Sequence, residues 1–239
     1  EIGSGLVGSE MCIRDRERIL RLKPEFSEGL QGLAYSSGRS GLSPRLVVQA
    51  LDLTQKILRG TYRYSNGEEQ IVLEDGKYVK INFSSSGQQE CVWILNLLFY
   101  YLVQQKEILF IIEEPESHLF PESQKYITEL IALVNNCGHS IVLTTHSPYV
   151  LGTLNNLLYA KTISPQARKE ANKIIRESLW LDYNAFDSWF VKNGTIENCM
   201  DADIHMIQNE KIDEISKVIN EDFERLLELQ TTNEESVVF

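Results

Sequence analysis

Three short stretches of the chain hold the residue types that phosphate chemistry requires. Ile108-Leu109-Phe110-Ile111-Ile112 is a continuous apolar run that stops at Glu113-Glu114-Pro115. A run of that length suits a strand buried on both faces, so it predicts two adjacent carboxylates at the C-terminal edge of a sheet, where open α/β sheets bind ligands. Phosphoryl transfer needs one carboxylate to hold Mg²⁺ and another to polarise the attacking water. Glu113 suits the first role and Glu114 the second. A second apolar strand, Ser140 to Thr145, delivers His146 just before Ser147-Pro148. Parallel neighbours present their C-terminal ends on one side, which predicts His146 beside Glu114 and within reach of a γ-phosphate. Finally, Ser84-Ser85-Ser86-Gly87-Gln88-Gln89 opens an apolar helix from Cys91 to Gln104, where free N–H groups, a hydroxyl and the helix dipole all favour a phosphate. Taken singly, each stretch also reads as structure: a solvated strand end, a structural histidine, an N-capping serine. Order and spacing decide for chemistry.

The elements that must position these groups are legible around them. A helix from Glu122 to Asn135 links the two apolar strands into a β-α-β unit. Ahead of the serine-rich loop, Gln70 to Phe83 alternates around Glu74-Asp75-Gly76 and predicts a hairpin. Leu46, Val47, Ala50, Leu51, Leu53 and Ile57 form a helical stripe that Gly60 ends. Gly, Ser and Pro from Ser27 to Pro44 predict a loop or linker. Downstream, Pro148 to Leu158 reads as a short helix, Lys161 to Trp180 as an exposed helix, and Lys192-Asn193-Gly194 as a turn. Ile196 to Met200 is a poor strand, and Asp201-Ala202-Asp203 reads as a solvated turn rather than a metal-binding pair. Ile212 to Leu229 is an amphipathic helical pattern.

Composition narrows the function classes. The chain has 239 residues, 43% apolar and 24% charged, enough for one sizeable core with an appendage. Its longest apolar run, Val92 to Val103, is broken by Asn96 and too short to span a bilayer, so no membrane role is expected. A formal net charge of -11 argues against a surface that attracts nucleic acid everywhere. Cys12, Cys91, Cys137 and Cys199 are far apart and read as reduced thiols of a cytoplasmic protein. Residues 1–16, EIGSGLVGSEMCIRDR, have neither a helical nor a strand period, and the stretch SGLVGSEMCIRDR within them resembles translated sequencing-adapter sequence. The domain reading is a non-native leader over 1–16, a core over 17–160 that carries the three stretches above, and an α/β extension of it over 161–239.

The order Ser85-Ser86-Gly87-Gln88, apolar helix, apolar strand with Glu113-Glu114-Pro115, then strand with Thr145-His146-Ser147-Pro148 resembles an ABC-type ATPase head. The string Glu113 to Gln124, EEPESHLFPESQ, is similar to the RecF-like, OLD-like and Septu-type AAA/ABC ATPases, and the resemblance covers roughly Ser43 to Leu229. It implies an α/β, P-loop NTPase-like fold, ATP and Mg²⁺ as cofactors, and a homodimer with two nucleotides sandwiched at its interface. In that family Ser85, Ser86, Gly87 and Gln88 would match the signature that caps the ATP of the opposite protomer. Glu113 would match the Mg²⁺ ligand, Glu114 the water-activating base, Ser117 to Pro121 the D-loop, and His146 the switch histidine. Two positions depart from the pattern: Glu113 replaces an aspartate and Ser86 a glycine. No GxxxxGK[ST] occurs, so the phosphate-wrapping loop is expected upstream of this chain. The resemblance further implies DNA repair or anti-phage defence, with DNA or a separately encoded nuclease as partner. A non-catalytic interaction module and a transporter ATPase subunit are the alternatives.

Overall fold

A computed structural model describes residues 20–36, 42–104, 107–208, 218 and 220–226. The expected leader over 1–16 lies outside these residues. So does most of the amphipathic pattern from Ile212 to Leu229, of which 220–226 are helical and exposed.

The chain orders its elements as helices α1 (Gly29–Ser36) and α2 (Pro44–Leu58), strands β1 (Thr61–Ser65), β2 (Glu68–Val72) and β3 (Tyr78–Lys80), helix α3 (Ser86–Gln104), strand β4 (Leu109–Glu113), helix α4 (Pro121–Asn136), strand β5 (Ser140–Thr144) and helices α5 (Pro148–Thr162) and α6 (Arg168–Ile174). Two small hairpins follow, β6 (Trp189–Lys192) with β7 (Thr195–Asn198) and β8 (Met200–Asp201) with β9 (Met206–Ile207). Helix α3 is apolar around most of its girth and becomes the central helix, burying Val92, Leu95, Leu98, Phe99 and Leu102. Helix α4 buries Ile127, Leu130, Leu133 and Val134 and packs along both α2 and α5. It also makes the crossover between β4 and β5, which pair in parallel with Glu113 opposite Thr144.

The structure departs from the sequence reading at four places. Ser27 to Pro44, read as a loop, contains α1, because Leu30 and Leu33 with Phe26 ahead of them supply an apolar face. Thr61 to Ser65, left unassigned, is a strand: β1 joins β2 through Asn66-Gly67, both left-handed at φ 53° and 77°, the turn chemistry that matches strand twist. Ile196 to Met200, called a poor strand, contains β7 and the start of β8, because pairing with β6 and β9 overrides weak propensity.

The fourth concerns the site directly. The run Ile108 to Ile112 predicts burial on both faces, and the described residues cover one. Phe110 and Ile112 with Ile141 and Leu143 face the interior. Leu109, Ile111 and Val142 remain 60%, 57% and 53% exposed, with Glu113 and Thr144 on that same open face. Glu113 and the β5 residues Ile141 to Thr144 line a cleft of about 1480 Å³ that Trp189, Phe190 and Val191 also line. Among the described residues no helix is long and apolar enough to cross a membrane.

Candidate functional site

The two apolar strands deliver Glu113, Glu114 and His146 into one cleft, as their register requires. Glu113 ends β4 on the open face, and no described residue engages its carboxylate. Glu114 leaves the strand in the left-handed region, φ 42°, while its N–H still bonds the Thr144 carbonyl at 3.0 Å. A non-glycine residue in that region costs about 1–3 kcal/mol and is retained where the surroundings over-determine it. Here the surroundings are specific. The Ser117 hydroxyl donates to Glu114 Oε2 at 3.2 Å, the Ser117 N–H bonds the Glu114 carbonyl at 2.9 Å, and His146 Nε2 stands 3.3 Å from Glu114 Oε1. Both side chains stay open to solvent, His146 86% and Glu114 49% exposed, so the pair is held in place yet reachable.

Beneath this pair runs a buried polar belt that sequence reasoning missed. Glu116, 7% exposed, accepts from the Thr145 hydroxyl and from the His146 N–H at 3.0 Å through the same oxygen, Oε1. Thr145 Oγ1 accepts from the Ser147 N–H at 3.0 Å, and Ser147 caps α5 by accepting from the N–H groups of Tyr149 and Val150. The Ser147 hydroxyl donates to Gln124, whose amide donates to the Leu119 carbonyl at 2.9 Å. The loop after β4 is thereby tied to the end of β5. No periodicity marks Glu116 or Gln124, since their partners lie across the crossover.

The serine-rich loop is placed differently. Helix α3 begins at Ser86 rather than Cys91, because Ser85 and Gln88 form a reciprocal cap: the Gln88 N–H reaches Ser85 Oγ at 3.3 Å and the Ser85 N–H reaches Gln88 Oε1 at 3.1 Å. Gln88 Nε2 also donates to the Leu58 carbonyl at 2.6 Å, anchoring the loop to the end of α2. The N-capping role of Ser85 is therefore present. Gly87 is packed so tightly on the loop after β4 that an added Cβ would lie 2.4 Å from the His118 carbonyl oxygen. Ser85 to Gln88 do not line the cleft that holds Glu113, Glu114 and His146. Its nearest contributions from α3 are Glu90 and Cys91.

The cleft is acidic, lined by Glu90, Glu113, Glu114, Asp182 and Asp187 and, among the described residues, by no Lys or Arg. A phosphate ester placed there needs a cation to offset that charge. No group of three or more His, Cys, Asp or Glu among the described residues could hold a metal ion by itself. One free carboxylate suits Mg²⁺, which is commonly bound through one or two carboxylates and completed by substrate phosphates and water. Burial pushes the Cys91 thiol up to about 12, so the thiol at the cleft wall is not a nucleophile. Asp201 accepts from the N–H groups of Asp203 and Ile204 at 2.9 and 3.2 Å, which shapes a turn.

The chain is 31% identical over 98 residues to the cytochrome c biogenesis ATP-binding export protein CcmA of Bartonella quintana (strain Toulouse), a match covering 41% of this chain and 45% of that protein. The chain thus spans less than half the length of that relative. A family model described as AAA ATPase domain matches residues 21–151, more than half of the chain, and takes in the carboxylate pair, the buried belt and His146. By that match the chain belongs to the AAA ATPase domain family.

Proposed function

We propose that the chain is part of an ATP-hydrolysing, ABC-type head of the RecF-like and OLD-like class. The observation that carries this reading is the carboxylate of Glu114, fixed by Ser117 and His146 at the shared C-terminal edge of two parallel strands. A carboxylate so placed orients a water and takes its proton as the water attacks a γ-phosphate. His146, 3.3 Å from it and open to solvent, is placed to donate to the phosphate. Glu113 would hold Mg²⁺ carried on the nucleotide. That ion would neutralise charge on the transferred phosphoryl group.

Ser85, Ser86, Gly87 and Gln88 lie outside this cleft, which supports their serving the ATP of a second protomer in a homodimer. ATP would then hold two heads together, and Glu114-assisted hydrolysis would release them. DNA repair or anti-phage defence, acting on DNA or beside a separate nuclease, is the biological setting the string EEPESHLFP favours. The likeness to an ATP-binding export protein favours a second reading, a transporter ATPase subunit.

The test is Glu114→Gln in the full-length protein. It keeps the shape and removes the base, so ATP binding is retained while turnover falls about 10²–10⁴-fold. Turnover within about threefold of the parent would refute the assignment of Glu114. A basal rate stimulated by DNA would favour the first setting over transport.

A further inference from the structure

We propose that Glu116 is a positioning residue for His146, an inference that rests on the ATPase reading of the site. The histidine's ring is 86% exposed and, among the described residues, meets Glu114 alone, at 3.3 Å. Its backbone N–H, however, ends on the buried Glu116 carboxylate at 3.0 Å, and the preceding residue is held by the same oxygen through the Thr145 hydroxyl. Glu116 lies two residues beyond Glu114, on the loop whose Ser117 hydroxyl orients the Glu114 carboxylate. One side chain therefore sets the loop carrying the base and the strand end carrying the histidine in a common frame.

The two oxygens of Glu116 are unequal, and this makes the claim testable. Oε1 accepts both bonds, whereas Oε2 is buried with no hydrogen-bond partner among the described residues. Glutamine can retain both bonds through its carbonyl oxygen while shedding the charge. Alanine leaves the Thr145 hydroxyl and the His146 N–H without an acceptor. If Glu116 acts by position, Glu116→Gln is mild and Glu116→Ala severe. If it acts by charge, both are severe.

The experiment measures kcat, KM for ATP and ATP affinity in the full-length protein for Glu116→Gln, Glu116→Ala and the Glu114→Gln reference, with amide exchange at His146 read by NMR. For Glu116→Ala we expect kcat to fall about 30–100-fold, as a misplacement near 1 Å does, with ATP affinity within about threefold of the parent. Exchange at the His146 amide should accelerate at least about tenfold. Glu116→Gln should keep kcat within about threefold and keep the amide protected. Should Glu116→Ala fail to fold, Glu116→Asp, which withdraws the carboxylate by one methylene, carries the test in the same direction. Full turnover in Glu116→Ala beside a dead Glu114→Gln overturns the proposal and leaves the ATPase reading standing. Equal damage in Gln and Ala variants also overturns it. Absence of turnover in every protein, parent included, defeats the ATPase reading, while the exchange data still decide whether Glu116 holds His146.

Discussion

Gly87→Ala puts the packing between the serine-rich loop and the carboxylate-bearing loop to a direct test, because two opposing effects compete and the structure fixes the winner. On an exposed helix the change gains about 1 kcal/mol in helix propensity. Here the new Cβ would sit 2.4 Å from the His118 carbonyl oxygen and 3.0 Å from its carbon, both backbone atoms that cannot rotate away. Restoring ordinary contact means moving the first turn of α3 off the loop by about 1 Å, and forced overpacking of that kind costs about 1–3 kcal/mol. The net is a loss of up to about 2 kcal/mol, or a Tm lower by up to about 8 °C for a domain of this size. Gly152→Ala in α5 is the control: an added Cβ there meets nothing within 4 Å, so the same substitution should raise Tm by about 1–4 °C. Differential scanning calorimetry on the chain and the two variants reads both signs. A Gly87→Ala protein that melts above the parent would refute the close approach of His118 to the helix start.

Two further outcomes follow from buried polar groups. Asn155 accepts from the Ile207 N–H at 2.7 Å and donates to the Ile207 carbonyl at 3.0 Å, so Asn155→Leu leaves two buried backbone groups unpaired. It should cost about 2–4 kcal/mol, seen as a lower urea midpoint at unchanged m-value. His139 is buried edge-on against Phe110, and burial holds its pKa below the usual 6.5, with Glu107 opposing weakly. A base with a depressed folded pKa takes up its proton more readily when unfolded, so its stability contribution is complete above 6.5 and is lost as pH falls toward the folded value. His139→Gln should flatten that acid limb; a curve as steep as the parent's would place the loss on another group.

The sequence by itself determined the parts whose signal is local. Apolar runs ending in Glu113-Glu114 and in His146, separated by a helical period, can only bring those residues to one edge if the strands pair in parallel, and the structure pairs them so. Only the tertiary structure decided what holds those side chains. The left-handed turn at Glu114 and the grip of Ser117 on its carboxylate are local but carry no sequence period, and the Glu116–Thr145–His146 belt joins residues about thirty positions apart, which no spacing rule encodes. Gly87 reads in sequence as a permissive loop glycine; its requirement comes from a carbonyl thirty-one residues away. The apolar run at β4 told of a strand able to be buried on both faces, but burial belongs to whatever packs against it. Among the described residues that covering exists on one face alone, where Phe110 meets Tyr101 and His139 edge-on and Ile112 joins the core.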